Sequence, residues 1–260
     1  MSKRFGAVAV LALVVGLMSV GTAAGKQGTT YQTGFDRWRA ADGAFAGWTT
    51  ANGAAIGAAG LTFSPAAGTA GTDPYAAGAY YGGDYYNAGS YKVGEVTSPR
   101  IATDFGFTEA IASWNADTPD GTWIEAQITA EIAGRWTKWY SLGIWADDYT
   151  TLHRHSVRLQ GDNDGFVAVD TLILNGKKAP PADAYQLKFR LFSENTATPT
   201  VRNVSLAYST TAVAPTSLEP GSATNWGLTL AVPECSQDMY PGEGGEVWCS
   251  PTSTSMVLGY

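Results

Sequence analysis

Cys249 is the residue best placed to do covalent chemistry in this chain. It lies in Gly-Gly-Glu-Val-Trp-Cys-Ser-Pro-Thr-Ser-Thr-Ser-Met-Val-Leu-Gly-Tyr, Gly244 to Tyr260. Ser250 is suited to cap a helix, Pro251 to its first position, and Met256, Val257 and Leu258 to an apolar face. The pattern predicts a helix starting just after Cys249, so that unsatisfied backbone N–H groups face the sulfur. A helix N-terminus favours the thiolate, the form that attacks a carbonyl carbon. The chemistry this implies is acyl transfer through a covalent thioester, which needs no cofactor, and the chain carries no cofactor motif.

Two stretches narrow the chemistry. Val-Pro-Glu-Cys-Ser-Gln at Val232 to Gln237 and Trp-Cys-Ser-Pro-Thr-Ser at Trp248 to Ser253 resemble the opening of peptidase C39-like domains. These are bacteriocin-processing-like, double-glycine-type cysteine peptidases of papain-like fold. The resemblance implies Cys249 as nucleophile and Gln237 as the oxyanion donor. Ser250 stands where many relatives have Gly, although secreted actinobacterial members can carry Cys-Ser-Pro-Thr-Ser. The family also implies a His base and an Asp or Asn downstream of the cysteine. The two histidines, His153 and His155, precede it. The expectation is therefore the incomplete start of an α+β peptidase domain, inactive by itself.

A second pairing competes for the sulfur. In an exported protein, Cys235 and Cys249 could close a short disulfide loop, worth on the order of 3 kcal/mol by the chain-entropy model. That bond would consume the nucleophile, so counting thiols under denaturing, non-reducing conditions separates the two readings.

The elements that must position this site begin with an export signal. Met-Ser-Lys-Arg precedes the apolar stretch Phe5 to Val20, and Gly21-Thr22-Ala23-Ala24 offers small residues for cleavage. This predicts a signal peptide over 1–24, cleaved after Ala24 or alternatively Ala23, with secretion and no membrane segment afterwards. Roughly 235 residues then remain, enough for one sizeable domain and part of another. The net formal charge is −7. Beyond Lys177-Lys178 and the spaced Arg154 and Arg158 there is no basic cluster, which argues against a nucleic-acid partner.

From Trp123 to Ile132 apolar and polar residues alternate, with Ile124, Ala126, Ile128, Ala130 and Ile132 facing one way and Glu125, Gln127, Thr129 and Glu131 the other. The pattern predicts a half-buried strand. Gly134-Arg135 then leads into a return strand with Tyr140, Leu142 and Ile144 opposite Trp139, Ser141 and Gly143, forming a hairpin. Leu187, Phe189 and Leu191, and later Val204, Leu206 and Tyr208, repeat the alternation. With turn clusters at 161–165 and 175–176, these runs predict a mainly β chain: an antiparallel sandwich or jelly roll over 25–209. Ser209 to Gly227, rich in Ser, Thr, Pro and Gly, reads as a linker over 210–227, followed by the peptidase-like segment 228–260.

Other clusters read as structural. Asp162, Asn163 and Asp164 offer oxygen ligands but lack the spacing of an EF-hand loop, so the segment reads as an acidic turn. His153 and His155, two apart on an expected strand, share one face and could touch a metal, but two ligands are too few. Trp114, Trp123, Trp136, Trp139 and Trp145 fit core or hairpin positions. Tyr75, Tyr80, Tyr81, Tyr85, Tyr86 and Tyr91 either cover a sheet edge or form a sugar-binding platform. Two functions thus stand: a secreted cysteine peptidase acting on a peptide or protein, or a secreted β-sandwich binding cell-wall glycan beside a vestigial peptidase segment.

Overall fold

Alternating β-branched and aromatic runs separated by glycine-rich turns commit most of the chain to strands. The computed structural model describes residues 32–71, 90–176, 178–210, 224, 227, 229–236 and 249–259. It divides into two compact units, Met1–Pro215 and Thr216–Tyr260. The strands, all in the first unit, open with β1 (Gln32–Arg39), β2 (Thr49–Ala51), β3 (Ala54–Gly57), β4 (Gly60–Phe63) and β5 (Thr69–Gly71). There follow β6 (Tyr91–Thr97), β7 (Ile101–Phe107), β8 (Glu109–Asp117), β9 (Thr122–Ile132), β10 (Arg135–Trp136) and β11 (Tyr140–Trp145). The last are β12 (Gly165–Ala168), β13 (Thr171–Leu174), β14 (Ala182–Ser193) and β15 (Thr200–Thr210). The second unit carries helix α1 (Cys249–Gly259).

The strands form an antiparallel β-sandwich. One sheet runs β12-β13-β8-β15-β4-β3, with β1 also on β15. The other runs β10-β9-β14-β6-β2, with β11 on β9, β5 on β6 and β7 on β14. β14 is the spine of this second sheet: β9 lies along one edge, and β6 and β7 share the other. Between those two strands Ser98 keeps the ladder closed. Its N–H donates to the Leu187 carbonyl at 2.8 Å, and its Oγ accepts the Leu187 N–H at 2.8 Å.

The inward faces of the two sheets meet in one apolar core. Leu61, Val201, Val204 and Leu206 come from the first sheet; Val96, Ile128, Leu187 and Phe189 come from the second. Burying each such side chain contributes about 2 kcal/mol. Trp48 lies edge-on to Trp38 at 5.6 Å and to Phe45 at 5.3 Å. The Tyr185 hydroxyl on β14 donates to Asp36 Oδ2 on β1 at 2.5 Å, joining the sheets through the core. Burial, with Asp36 beside it, pushes the Tyr185 hydroxyl well above its ordinary pKa.

The hairpin after β9 forms as the sequence leads one to expect. Ala133 and Gly134 both take positive φ, 49° and 78°, giving the two-residue turn whose twist matches the flanking strands. β9 itself departs from expectation: it is buried on both faces rather than half-buried. The cause is a second, smaller core on the outer side of the second sheet. There Leu152 and Val157, from the connection after β11, pack with Tyr91, Val93, Trp123, Ile144 and Phe192. The Trp123 and Phe192 rings stack 5.2 Å apart at 9°. β11 is likewise buried on both faces, and its expected alternation breaks at a register shift between Ser141 and Gly143. The Gln160 side-chain amide substitutes for a neighbouring strand, accepting the Ser141 N–H at 2.6 Å and donating to its carbonyl at 2.8 Å.

Candidate functional site

In the second unit, α1 takes in Cys249 as its first residue, so the helix starts earlier than the expected cap at Ser250. Pro251 still falls in the first turn, where no N–H is needed. Cys249 keeps the expected place at the helix N-terminus, and it and Cys235 are exposed free thiols. Of the expected apolar face, Met256 is half-buried, while Val257 and Leu258 are 68% and 82% exposed. A Cβ on Gly259 would come within 3.3 Å of the Pro233 ring, which places the Val232-Pro233 stretch beside the far end of α1. The oxyanion candidate Gln237 and the neighbouring Trp248 lie outside the described residues, as do Tyr75, Tyr80, Tyr81, Tyr85, Tyr86 and the 1–24 signal segment.

His153 and His155 belong to the sandwich, and they do not share a strand face. His155 makes an isolated bridge with Ile144, whereas His153 is exposed and stacks on Tyr149 at 4.6 Å. The described residues hold no group of three metal-ligating side chains. In the acidic turn the carboxylates are engaged by neighbours. Arg135 grips Asp164 with both guanidinium nitrogens at 2.7 and 2.5 Å, and the Tyr140 hydroxyl and Lys138 reach Asp162 at 2.6 and 3.2 Å. The Arg135 bond holds the Asp164 carboxyl below its ordinary pKa.

Sequence reasoning did not find a charge network on the outer side of the second sheet, the side opposite Leu187 and Phe189. Arg190 lies directly opposite Glu125 on β9 and Glu95 on β6. It donates to Glu125 Oε2 at 2.9 Å and to Glu95 Oε1 at 3.2 Å. Glu125 is fully buried and also accepts from Gln127 Nε2 at 3.0 Å. Burial outweighs these partners and raises its pKa. Nearby, Lys188 sits 4.2 Å above the Trp139 ring, and burial lowers its pKa. Glu125 and Arg190 are 65 residues apart, so only the strand register reveals the pair.

The outer face of the first sheet carries a second unforeseen arrangement. β1 alternates, with Asp36 and Trp38 directed inward and Phe35, Arg37 and Arg39 exposed outward. Register aligns Arg37 with Ser205 and Ser113, and Arg39 with Asn203 and Asn115. These six residues, with Trp114, line a shallow depression of about 440 Å³. A neighbouring hollow of about 330 Å³ shares Arg39 and Asn203.

With this geometry in view, the family model described as the peptidase C39 N-terminal domain matches residues 29–209. The chain belongs to this family. The match covers the whole sandwich and ends before Cys249, so it is a different stretch from the one whose motifs resemble the peptidase itself. No curated protein matches this C39 N-terminal domain chain. A solved structure titled "Structural basis for the promiscuous specificity of the carbohydrate-binding modules from the beta-sandwich super family" is similar at 12% identity and TM-score 0.23. It covers 71% of this chain, which spans 58% of that structure's length. A likeness at that level carries no argument, and the sandwich is established by the chain's own strands.

Proposed function

We propose that the chain comprises the accessory β-sandwich and the nucleophile segment of an exported cysteine peptidase. The carrying observation is Cys249: an exposed free thiol on the first residue of an 11-residue helix, downstream of a C39 N-terminal domain. Residues 1–24 direct export, and a peptide or protein is the substrate.

The thiolate of Cys249 attacks the scissile carbonyl carbon, and the carbonyl π pair moves to oxygen. The Cys249 backbone N–H and the Gln237 amide stabilise that oxyanion. The oxyanion re-forms the carbonyl as the C–N bond breaks and a histidine of the peptidase domain gives its proton to the leaving amine. Water, losing a proton to that histidine, then attacks the thioester, and the C–S bond breaks to free the acid and the Cys249 sulfur. Export of the complete gene product is checked by N-terminal sequencing of the secreted protein, which should begin at Gly25 or Ala24. Its peptide hydrolysis should fall by at least about 1000-fold in Cys249→Ala, and by about 100- to 1000-fold in Gln237→Ala. Undiminished hydrolysis in Cys249→Ala refutes the assignment.

A further inference from the structure

On the outer face of the first sheet, which also carries Glu109 and Asp117 on β8, the charged side chains lining the two hollows are all arginines, in a chain with 23 acidic and 16 basic residues. Neither hollow on that face is lined by an acidic residue. The arginines differ in how far they are committed. Arg202 is held bidentately by Asp117. Arg39 has only a loose 3.6 Å contact with Asp42, both side chains being about half exposed, and pairs of that kind are worth little. Arg37 has no acidic partner among the described residues. Arg37 and Arg39 stand two residues apart on one face, about 7 Å along the strand.

Charges on an edge strand such as β1 also deter aggregation, and that would explain the arginines alone. It does not explain what lies beside them on the interior strands β15 and β8. Ser113 Oγ and Ser205 Oγ bond at 2.8 Å, and Asn115 and Asn203 are directly paired in the next row. The result is a guanidinium beside two hydroxyls and a second guanidinium beside two amides. Phe35, 62% exposed, begins the adjacent row with Ala207 and Ile111.

We propose that this face binds a carboxylate-bearing glycan. The planar guanidinium forks of Arg37 and Arg39 match carboxylates bidentately, the Ser and Asn rows exchange hydrogen bonds with sugar hydroxyls, and Phe35 covers the apolar face of a ring. An acidic peptide would use the arginines and offer its backbone amides to the Ser and Asn rows, whereas a uronate ring places several hydroxyls beside each carboxylate, matching a guanidinium and its neighbouring polar row together. The inference does not rest on the peptidase reading, because no residue of this face takes part in the Cys249 chemistry.

The test is calorimetric titration of the full chain with hexagalacturonate, against maltohexaose and hexaglutamate. Hexagalacturonate should bind, with affinity falling as salt rises. Arg37→Gln combined with Arg39→Gln should weaken it by at least about tenfold. Arg37→Lys combined with Arg39→Lys, which keeps charge but not the fork, should fall between that variant and the parent. Asn203→Ala should weaken hexagalacturonate more than any hexaglutamate binding. Cys249→Ala should bind like the parent. Failure to bind hexagalacturonate, equal binding of hexaglutamate or maltohexaose, or undiminished binding by the folded double Arg→Gln variant would each overturn the proposal.

Discussion

Glu125 is a carboxylate held where its charge is costly. Its folded pKa is raised above the ordinary 4.5 by burial, so the stability it contributes is fully present below about pH 4.5 and is lost as pH rises through the raised value. Glu125→Gln removes that titration. The melting temperature of the variant relative to the parent should therefore increase from pH 4.5 toward neutrality. A relative decrease would mean that the Arg190 bond at 2.9 Å more than offsets desolvation. Asp164 behaves oppositely: Arg135 lowers its folded pKa, and its contribution is lost as pH falls through that lowered value, discounted because Arg135 is 58% exposed. At this scale legibility was split. The place of Cys249 at a helix start was readable because its signal is local, a cysteine followed by helix-starting residues. The Arg190 network and the Arg37–Ser205–Ser113 row were not, because both are created by strand register between distant segments.

The strands show a similar division. Alternation correctly placed Ile124, Ile128, Leu187 and Val204 on inward faces, since a period of two is a property of the strand alone. It could not report that Leu152 and Val157 cover the opposite face of β9, so a strand with polar residues on one side was read as half-buried. That cover is itself testable. Leu152→Ala should cost about 2 kcal/mol and speed hydrogen exchange at Ile144 and His155, whose amides bond reciprocally at 3.0 Å. Unchanged protection would show that the segment 146–157 does not depend on this small core. Gly60 marks a close approach between elements. It takes φ +130°, and a Cβ there would lie 2.1 Å from the Val201 carbonyl oxygen. Gly60→Ala should destabilise the sandwich by at least about 2 kcal/mol, measured by urea denaturation. A smaller loss would mean that β4 can move off β15.

For the molecule as a whole, the sandwich and the segment that holds Cys249 lie in separate compact units. The family match lies over 29–209, and the stretches that resemble a C39-like peptidase lie outside it, at 232–253. The β class of the larger unit was legible from turn chemistry and alternation, whereas the pairing of β14 with both β9 and β6 was not, because register between distant strands leaves no local signal. Because Cys249 is exposed and belongs to the smaller unit, Cys249→Ala should leave the melting of the sandwich unchanged within experimental scatter. The decisive measurement is peptide hydrolysis by the complete gene product beside its Cys249→Ala variant, with both shown to be folded. The proposal requires hydrolysis in the first and a loss of at least about 1000-fold in the second. Equal rates in the two proteins would contradict it.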